Sequence, residues 1–331
     1  MATHKQMAAL VKSFANQDDA HFYRVVLQVA AAEARRGHDQ VARELRDLVA
    51  EVRGRHAAIE RTPGPVPMGK PRGELAQILR CSYPDTRLKE MVLSPAVEAN
   101  LERLLAEHRR ADALLAHGLM PRRKLLLAGQ PGTGKTMTAR TLAAELRLPL
   151  LSVRLESLIT RFLGETAAKL RLVFDAMADT RGVYLFDEFD ALGAERAGTN
   201  DVGEMRRVLN SFLQFLEEDT SDSLIIAATN HLDLLDRALF RRFDGVFRYD
   251  LPDAPMIHRM VELALAAFDA RAVDFSAFTQ AALGLSQADI VGACEEAAKD
   301  MILAGRGALT TEDLTRAVQA RRAAHADWDR E

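Results

Sequence analysis

The chain has 331 residues, 48% hydrophobic and 27% charged, with 44 Lys and Arg against 47 Asp and Glu and a formal net charge of -3. That length suggests roughly two domains, and the composition excludes a disordered, collagenous or low-complexity chain. The charge balance argues against a generally basic nucleic-acid surface while leaving a local patch open, and the two cysteines, Cys81 and Cys294, lack disulfide-scaffold or zinc-ligand spacing.

The N-terminus leads into an amphipathic pattern and not a signal-peptide core, and no stretch reaches the roughly 18 apolar residues of a membrane span. The expectation is a soluble cytoplasmic protein. Residues 1–60 read as three amphipathic helices. Met7, Leu10, Val11 and Phe14 stripe the first. Phe22, Val25, Val26 and Val29 stripe the second, with Asp18 or Asp19 as cap and Gly37 as stop. Asp39 caps the third, striped by Val41, Leu45, Leu48 and Val52. His4, His21, His38 and His56 lack the i, i+4 spacing of a metal site. Residues 61–73 carry four prolines and three glycines, a semi-stiff linker.

From residue 74 the pattern alternates. Ser94 caps a helix with Pro95 in its first turn and Val97, Leu101, Leu104 and Leu105 on its apolar face. Short apolar runs at 125–128, 150–153, 183–186, 224–227 and, more weakly, 246–249 alternate with amphipathic stretches. This is the α/β pattern of buried parallel strands with helices on both faces of the sheet. Residues 254–325 read as four helices. The expected organisation is a helical domain at 1–60, the linker at 61–73, an α/β domain at 74–252 and a helical domain at 253–331.

Residues 129–136 read GQPGTGKT, a G-x-x-x-x-G-K-[ST] loop between a strand and a helix over 135–146. Its glycines let backbone N–H groups turn around phosphate oxygens, and the helix N-terminus adds positive charge. Lys135 reaches the β- and γ-phosphates, and the Thr136 hydroxyl ligates Mg²⁺. Gly129, Pro131, Gly132, Thr133, Gly134, Lys135, Thr136, Met137 and Asp187 are the candidate nucleotide contacts. The strand 183–186 ends in Asp187 and Glu188, a costly placement unless the charges have a role. Asp187 is assigned to Mg²⁺ and Glu188 to the attacking water. Asn230 ends the strand beginning at Leu224 and can place its amide near the γ-phosphate.

In combination these motifs resemble the AAA+ ATPases over residues 90 to 325, in the branch of protein-remodelling and protease-linked members. The resemblance makes 129–136 the Walker A motif, Asp187 and Glu188 the Walker B motif, and Asn230 sensor 1. Residues 229–244, through Arg241-Arg242-Phe243-Asp244, resemble the second region of homology, whose arginines reach a neighbour's nucleotide. Residues 284–289 resemble the start of the lid helix. Gln130 stands where the family often has Pro, Arg241 and Arg242 are adjacent where many relatives space them, and 286–288 offer no lid arginine.

An arginine placed after the last strand faces away from its own P-loop and serves only a neighbour's site. That implies head-to-tail assembly, and the resemblance implies a homo-oligomeric ring of six. Arg242 aligns best, though either arginine can be the finger. Phe162 and Leu163 resemble the first pore loop of protein-translocating members, against the alternative of a core Phe. Residues 198–203 match the place of the second.

The resulting expectation is a Mg²⁺-ATP-driven oligomeric motor acting on protein substrates, with 1–60 as a substrate or adaptor domain, 74–252 as the nucleotide-binding domain and 253–331 as the helical lid. No protease motif is present, so proteolysis would need a separate partner. The alternatives are a nucleotide-gated assembly switch that threads nothing, and a nucleic-acid motor or loader, which the charge and the lack of a basic, aromatic-interleaved segment disfavour.

Overall fold

The computed structural model describes residues 71, 73–158, 163–192, 202–231 and 240–328, with six isolated positions at 26, 30, 38, 40, 41 and 43. Within those segments the side chains of 163, 164, 191, 192, 202–207 and 325–328 lie outside the described set. Two units divide the chain, Met1–Met68 and Gly69–Glu331. Apart from the isolated positions, the helices expected over 1–60 lie outside the described residues, as does the linker over 61–73 except at 71 and 73.

The second unit begins with α1 (Leu75–Ile78) and β1 (Leu79–Ser82), followed by α2 (Pro95–Arg109) and α3 (Ala111–Ala116). Then β2 (Lys124–Gly129), α4 (Lys135–Leu146), β3 (Leu150–Val153), α5 (Leu155–Leu158), α6 (Leu163–Asp179), β4 (Val183–Phe186), α7 (Val202–Glu218), β5 (Leu224–Thr229) and β6 (Gly245–Tyr249) follow in order. The sheet order is β1-β3-β4-β5-β2-β6, with only the β1–β3 pair antiparallel.

Central strands are buried along their whole length because the sheet is covered on both faces. The period of two sorts their side chains. Tyr184, Phe186, Ile225 and Ala227 pack under α6 and α7, against Phe174 and Phe212. Val183, Leu185, Leu224 and Ile226 pack on the opposite face, against Leu101, Leu104 and Leu142 of α2 and α4. Phe212 is fully buried, with ring centroids 4.9 Å from Phe186 and 4.6 Å from Phe189. Its truncation to Ala would cost about 3–5 kcal/mol through the cavity it leaves.

All five strand runs expected from the sequence are strands, and the helix after the glycine-rich loop runs from Lys135 to Leu146. Ser94 caps α2, its Oγ accepting from the Val97 N–H at 3.5 Å, with Pro95 in the first turn. Strand β1 carried no apolar run: in Leu79-Arg80-Cys81-Ser82 only Leu79 is fully buried, as suits a four-residue edge strand. Strand β6 is the other edge, and only Phe247 and Tyr249 of it turn inward, which explains its weak signal. Its completeness corrects one expectation. Arg241 and Arg242 occupy the turn entering β6, not a position after the last strand. The loop expected over 198–203 is also shorter, because α7 begins at Val202, while 198–201 lie outside the described residues.

Four helices complete the unit: α8 (Ala254–Ala264), α9 (Phe275–Ala282), α10 (Gln287–Leu303) and α11 (Thr311–Trp328). They bury their own cluster around Ile257, Phe278, Ile290 and Leu314. Asp253, Asp274 and Ser286 cap the first three through their side-chain oxygens, each satisfying an orphan backbone N–H.

Candidate functional site

The candidate site lies at the C-terminal ends of the parallel strands. Strand β2 delivers Gly129 beside Tyr249 of β6, and a Cβ at Gly129 would meet the Tyr249 carbonyl at 2.1 Å. Gly132 (φ 75°) and Gly134 (φ 100°) take left-handed backbone that favours glycine. A Cβ on Gly132 would also lie 2.5 Å from Ser286 Oγ. The loop therefore presents backbone with no room for side chains, as a phosphate cradle requires.

Inside the loop, Thr133 is buried and its hydroxyl donates to the Gln130 carbonyl at 2.7 Å. Lys135 is only 6% exposed, and its ammonium donates to the Gly129 and Gln130 carbonyls, both at 2.8 Å. Burial pushes its pKa down, while Asp187 and Asp190 pull it back up. The cation is thus held at the loop's centre between carbonyls, with two carboxylates behind it. Thr136 and Met137, in the first turn of α4, are exposed, as is Pro131.

Strand β4 brings Asp187 opposite the loop, where Thr136 Oγ1 donates to Asp187 Oδ2 at 2.6 Å. Glu188 follows, exposed, with φ 52°. A left-handed backbone is uncommon for Glu, and its N–H donates to Asp187 Oδ1 at 3.1 Å. This turn aims the two successive carboxylates differently, one at Thr136 and one outward. Asn230 follows Thr229, which pairs with Ala128, so it enters the site level with Gly129.

Three contributors were not read from the sequence. Asp190 Oδ1 accepts from the Asn230 N–H at 3.3 Å, tying the ends of β4 and β5 together. Its only sequence signal was its place in Asp-Glu-Phe-Asp. The Thr138 hydroxyl shares a buried 2.7 Å hydrogen bond with Tyr249 OH, and burial pushes that phenol's pKa up. The lid touches the loop directly, the Ala288 N–H donating to the Gly132 carbonyl at 3.0 Å. Beside that contact, Leu93, Val97, Tyr249, Leu251, Met256 and Gln287 line a cleft of about 240 Å³.

Arg241 and Arg242 are exposed in the turn before β6, and Arg242 pairs with Glu217 of α7. Buried Phe243 anchors that turn in the core. Because β6 runs parallel to β2, the turn lies at the N-terminal end of the sheet. Five strand residues separate it from the phosphate loop's end, about 16 Å at strand rise. The structure thus brings together Lys135, Thr136, Asp187, Glu188 and Asn230, and holds Arg241 and Arg242 apart. Phe162 lies outside the described residues. So does the Leu163 side chain, whose backbone opens α6.

The family described as ATPase family associated with various cellular activities (AAA) matches residues 125–251. The chain is 36% identical to the uncharacterized AAA family ATPase y4kL of Sinorhizobium fredii, over 96% of this chain and 95% of that protein. It is 35% identical to the proteasome-activating nucleotidase of Saccharolobus solfataricus over 61% of this chain, spanning about half of that relative (53%). The ATP-dependent zinc metalloprotease FtsH of Acidothermus cellulolyticus matches at 32% over 72% of this chain and 37% of its own length. The crystal structure of the FIGL-1 AAA domain resembles the chain with a TM-score of 0.58 at 23% identity, covering 76% of this chain and 91% of that one, a likeness of fold alone. With the loop geometry set in this parallel sheet, and identity to y4kL sustained along almost the whole of both chains, the protein belongs to the AAA family of ATPases and is an ATPase.

Proposed function

We propose that this chain is a Mg²⁺-ATP-driven homo-oligomeric ring motor, expected to be hexameric, that remodels, unfolds or translocates protein substrates. The observation that carries the assembly is the placement of Arg241 and Arg242 at the opposite end of the sheet from the phosphate loop. An arginine there serves a neighbour's γ-phosphate in a head-to-tail arrangement. A finger supplied in trans is worth about 10³–10⁵ in rate in phosphoryl transfer.

The residues fit the nucleotide. Gly129 and Gly132 leave space that a Cβ would fill, and Lys135 is poised among loop carbonyls. Lys135 would hold the β- and γ-phosphates in place of those carbonyls, and Thr133, Gly134 and Met137 would be further contacts of the nucleotide. Thr136 and Asp187 offer two oxygens to Mg²⁺. Among the described residues no group of three or more His, Cys, Asp or Glu forms a metal cage. Mg²⁺ at phosphate sites takes its other ligands from phosphate and water, and when bound it neutralises charge on the transferring group. Glu188 would orient and polarise the attacking water, and Asn230, whose backbone N–H is held by Asp190, would offer its amide to the γ-phosphate.

The protein-substrate reading leans on the relatives named as a proteasome-activating nucleotidase and a metalloprotease, each of which this chain spans only in part. In this reading Phe162 and Leu163 grip the client in the channel, residues 1–60 select it, and any protease is a separate partner. Among the described residues no helix is long and apolar enough to cross a membrane.

The test is hydrolysis by the full chain with and without a reduced, permanently unfolded polypeptide. A motor hydrolyses ATP faster with the polypeptide, and Phe162→Ala removes that stimulation while sparing the basal rate and the melting temperature. Absence of stimulation in the parent supports the switch reading instead.

A further inference from the structure

Away from the phosphate loop, a second cleft of about 390 Å³ opens at the far end of α4. Arg87, His108, Arg109, Glu145, Arg147 and Arg181 wall it, over the side chains of Leu146 and Leu148. Four separate segments supply the walls. Arg87 precedes the short helix Leu88–Glu90, His108 and Arg109 end α2, Glu145 and Arg147 end α4, and Arg181 precedes β4. Because α4 is 12 residues long, the cleft lies about 18 Å from the phosphate loop that opens the same helix. It is a different site.

The charge in the cleft is lopsided. Four arginines and a single carboxylate line the cleft, in a chain whose formal net charge is -3. That carboxylate is already engaged, Glu145 accepting from Arg109 Nη2 at 2.8 Å and from the Leu88 N–H at 3.4 Å. Among the described residues no carboxylate forms an ion pair with Arg87, Arg147 or Arg181. His108 Nε2 bonds the Arg122 carbonyl at 2.7 Å, and burial lowers its pKa, so the cleft's positive charge comes from arginine.

A simpler account covers part of this. Cations at helix C-termini answer the macrodipole, which accounts for Arg109 and Arg147. It does not account for Arg87, which ends no helix, and it reaches Arg181 only as a residue two positions past the end of α6 at Asp179. Nor does it favour Arg at position 147, whose φ of 56° is backbone that Gly or Asn normally takes at a helix end.

We infer that this cleft is a second anion site, built for the phosphate chain of a small molecule. Guanidinium forks match phosphate oxygens two at a time. The volume is in the range of small-ligand sites. No Phe, Tyr or Trp ring lines the walls to stack a base, and the one imidazole, His108, is tied to the Arg122 carbonyl, which sets the cleft apart from a single-strand nucleic-acid groove. The inference depends on neither the ring nor the motor.

The experiment is calorimetric titration of the full chain with sodium tripolyphosphate at low salt. Lys135→Ala removes the phosphate loop's cation, so the binding that remains reports the cleft. The expected result is one tripolyphosphate bound by Lys135→Ala, weakened at least tenfold when Arg147→Glu and Arg181→Glu are added. Should the charge reversals fail to fold, Arg147→Asn with Arg181→Gln keeps the left-handed backbone and still lowers affinity. ATP competing with tripolyphosphate in the Lys135→Ala background identifies a nucleotide's phosphate tail as the ligand, and its failure to compete identifies a free oligophosphate. The inference is overturned if Lys135→Ala binds no tripolyphosphate, or binds it equally with and without the cleft arginines. A hexaglutamate peptide bound as tightly as tripolyphosphate, or an oligonucleotide whose affinity rises with length, also overturns it.

Discussion

The Thr136 hydroxyl and the Asp187 carboxylate meet at 2.6 Å, joining the first turn of α4 to the end of β4. The two residues are 51 positions apart in the chain. The contact places a hydroxyl and a carboxylate oxygen side by side at the mouth of a glycine-lined loop, where a cation bridging to phosphate would sit.

Asp187→Asn is therefore expected to weaken ATP binding in the presence of Mg²⁺ more than in its absence. A charge-assisted contact is worth about 1.5–3 kcal/mol, so the Mg²⁺-dependent part of the affinity should fall about 10- to 100-fold. Titration with a fluorescent ATP analogue, with Mg²⁺ and with chelator, reads the difference. Equal weakening in both conditions would place Asp187 outside the metal's reach.

Gly132 and Gly134 are both left-handed, but only Gly132 abuts the lid. A Cβ on Gly132 would press on Ser286 Oγ at 2.5 Å, whereas one on Gly134 meets nothing nearer than Met91 Cε at 3.7 Å. Both alanine substitutions carry the left-handed cost of about 1–2 kcal/mol. Gly132→Ala should in addition displace the start of α10, giving the larger drop in melting temperature. Equal melting temperatures for the two variants would contradict the lid contact.

The lid has a pH signature of its own. Arg306 grips buried Asp313 through two hydrogen bonds of 2.7 and 2.9 Å, and Thr310 donates to it through its hydroxyl and its N–H. The Arg306 guanidinium foremost, then Thr310, holds the carboxyl at about 2, below its ordinary 3.8. The folded state thus binds that proton less readily than the unfolded chain. The stability this contributes is complete above the ordinary value and is lost as pH falls from about 4 toward 2. Asp313→Asn should lower the melting temperature at pH 7 and flatten its slope between pH 5 and 2.5. An unchanged slope would contradict the assignment.

Arg242→Ala should retain ATP binding and hydrolyse poorly. Mixed with Lys135→Ala protein it should regain part of the activity, because an intact loop then meets an intact arginine at some interfaces. Rings that demonstrably mix without recovery would transfer the role to Arg241 or contradict the head-to-tail arrangement.

The legible parts of the fold were those whose signal is local. A fully buried strand such as Val183–Phe186 announces itself as an apolar run, and a glycine-rich turn between strand and helix needs only its own residues. The edges were harder. Strand β1 buries one side chain fully, and Phe247 and Tyr249 alone mark β6. Tertiary pairings left no trace at all. The Asp190–Asn230 bond and the Thr138–Tyr249 bond span 40 and 111 residues, and exist only because the sheet order sets the end of β4 beside that of β5 and the helix leaving β2 beside the end of β6. The same order explains why Arg242 was read as following the last strand, when it enters the edge strand that the sequence showed faintly.

The central claim is tested most directly by ATP turnover and ATP retention in Glu188→Gln. Asp187 sits against Thr136 while Glu188, exposed on left-handed backbone, is the residue proposed to meet the attacking water. The variant keeps the side chain's shape and loses the carboxylate. It should bind Mg²⁺-ATP as tightly as the parent and hydrolyse it about 10²- to 10⁴-fold more slowly, the usual worth of a positioned general base. Hydrolysis near the parent rate would contradict the account.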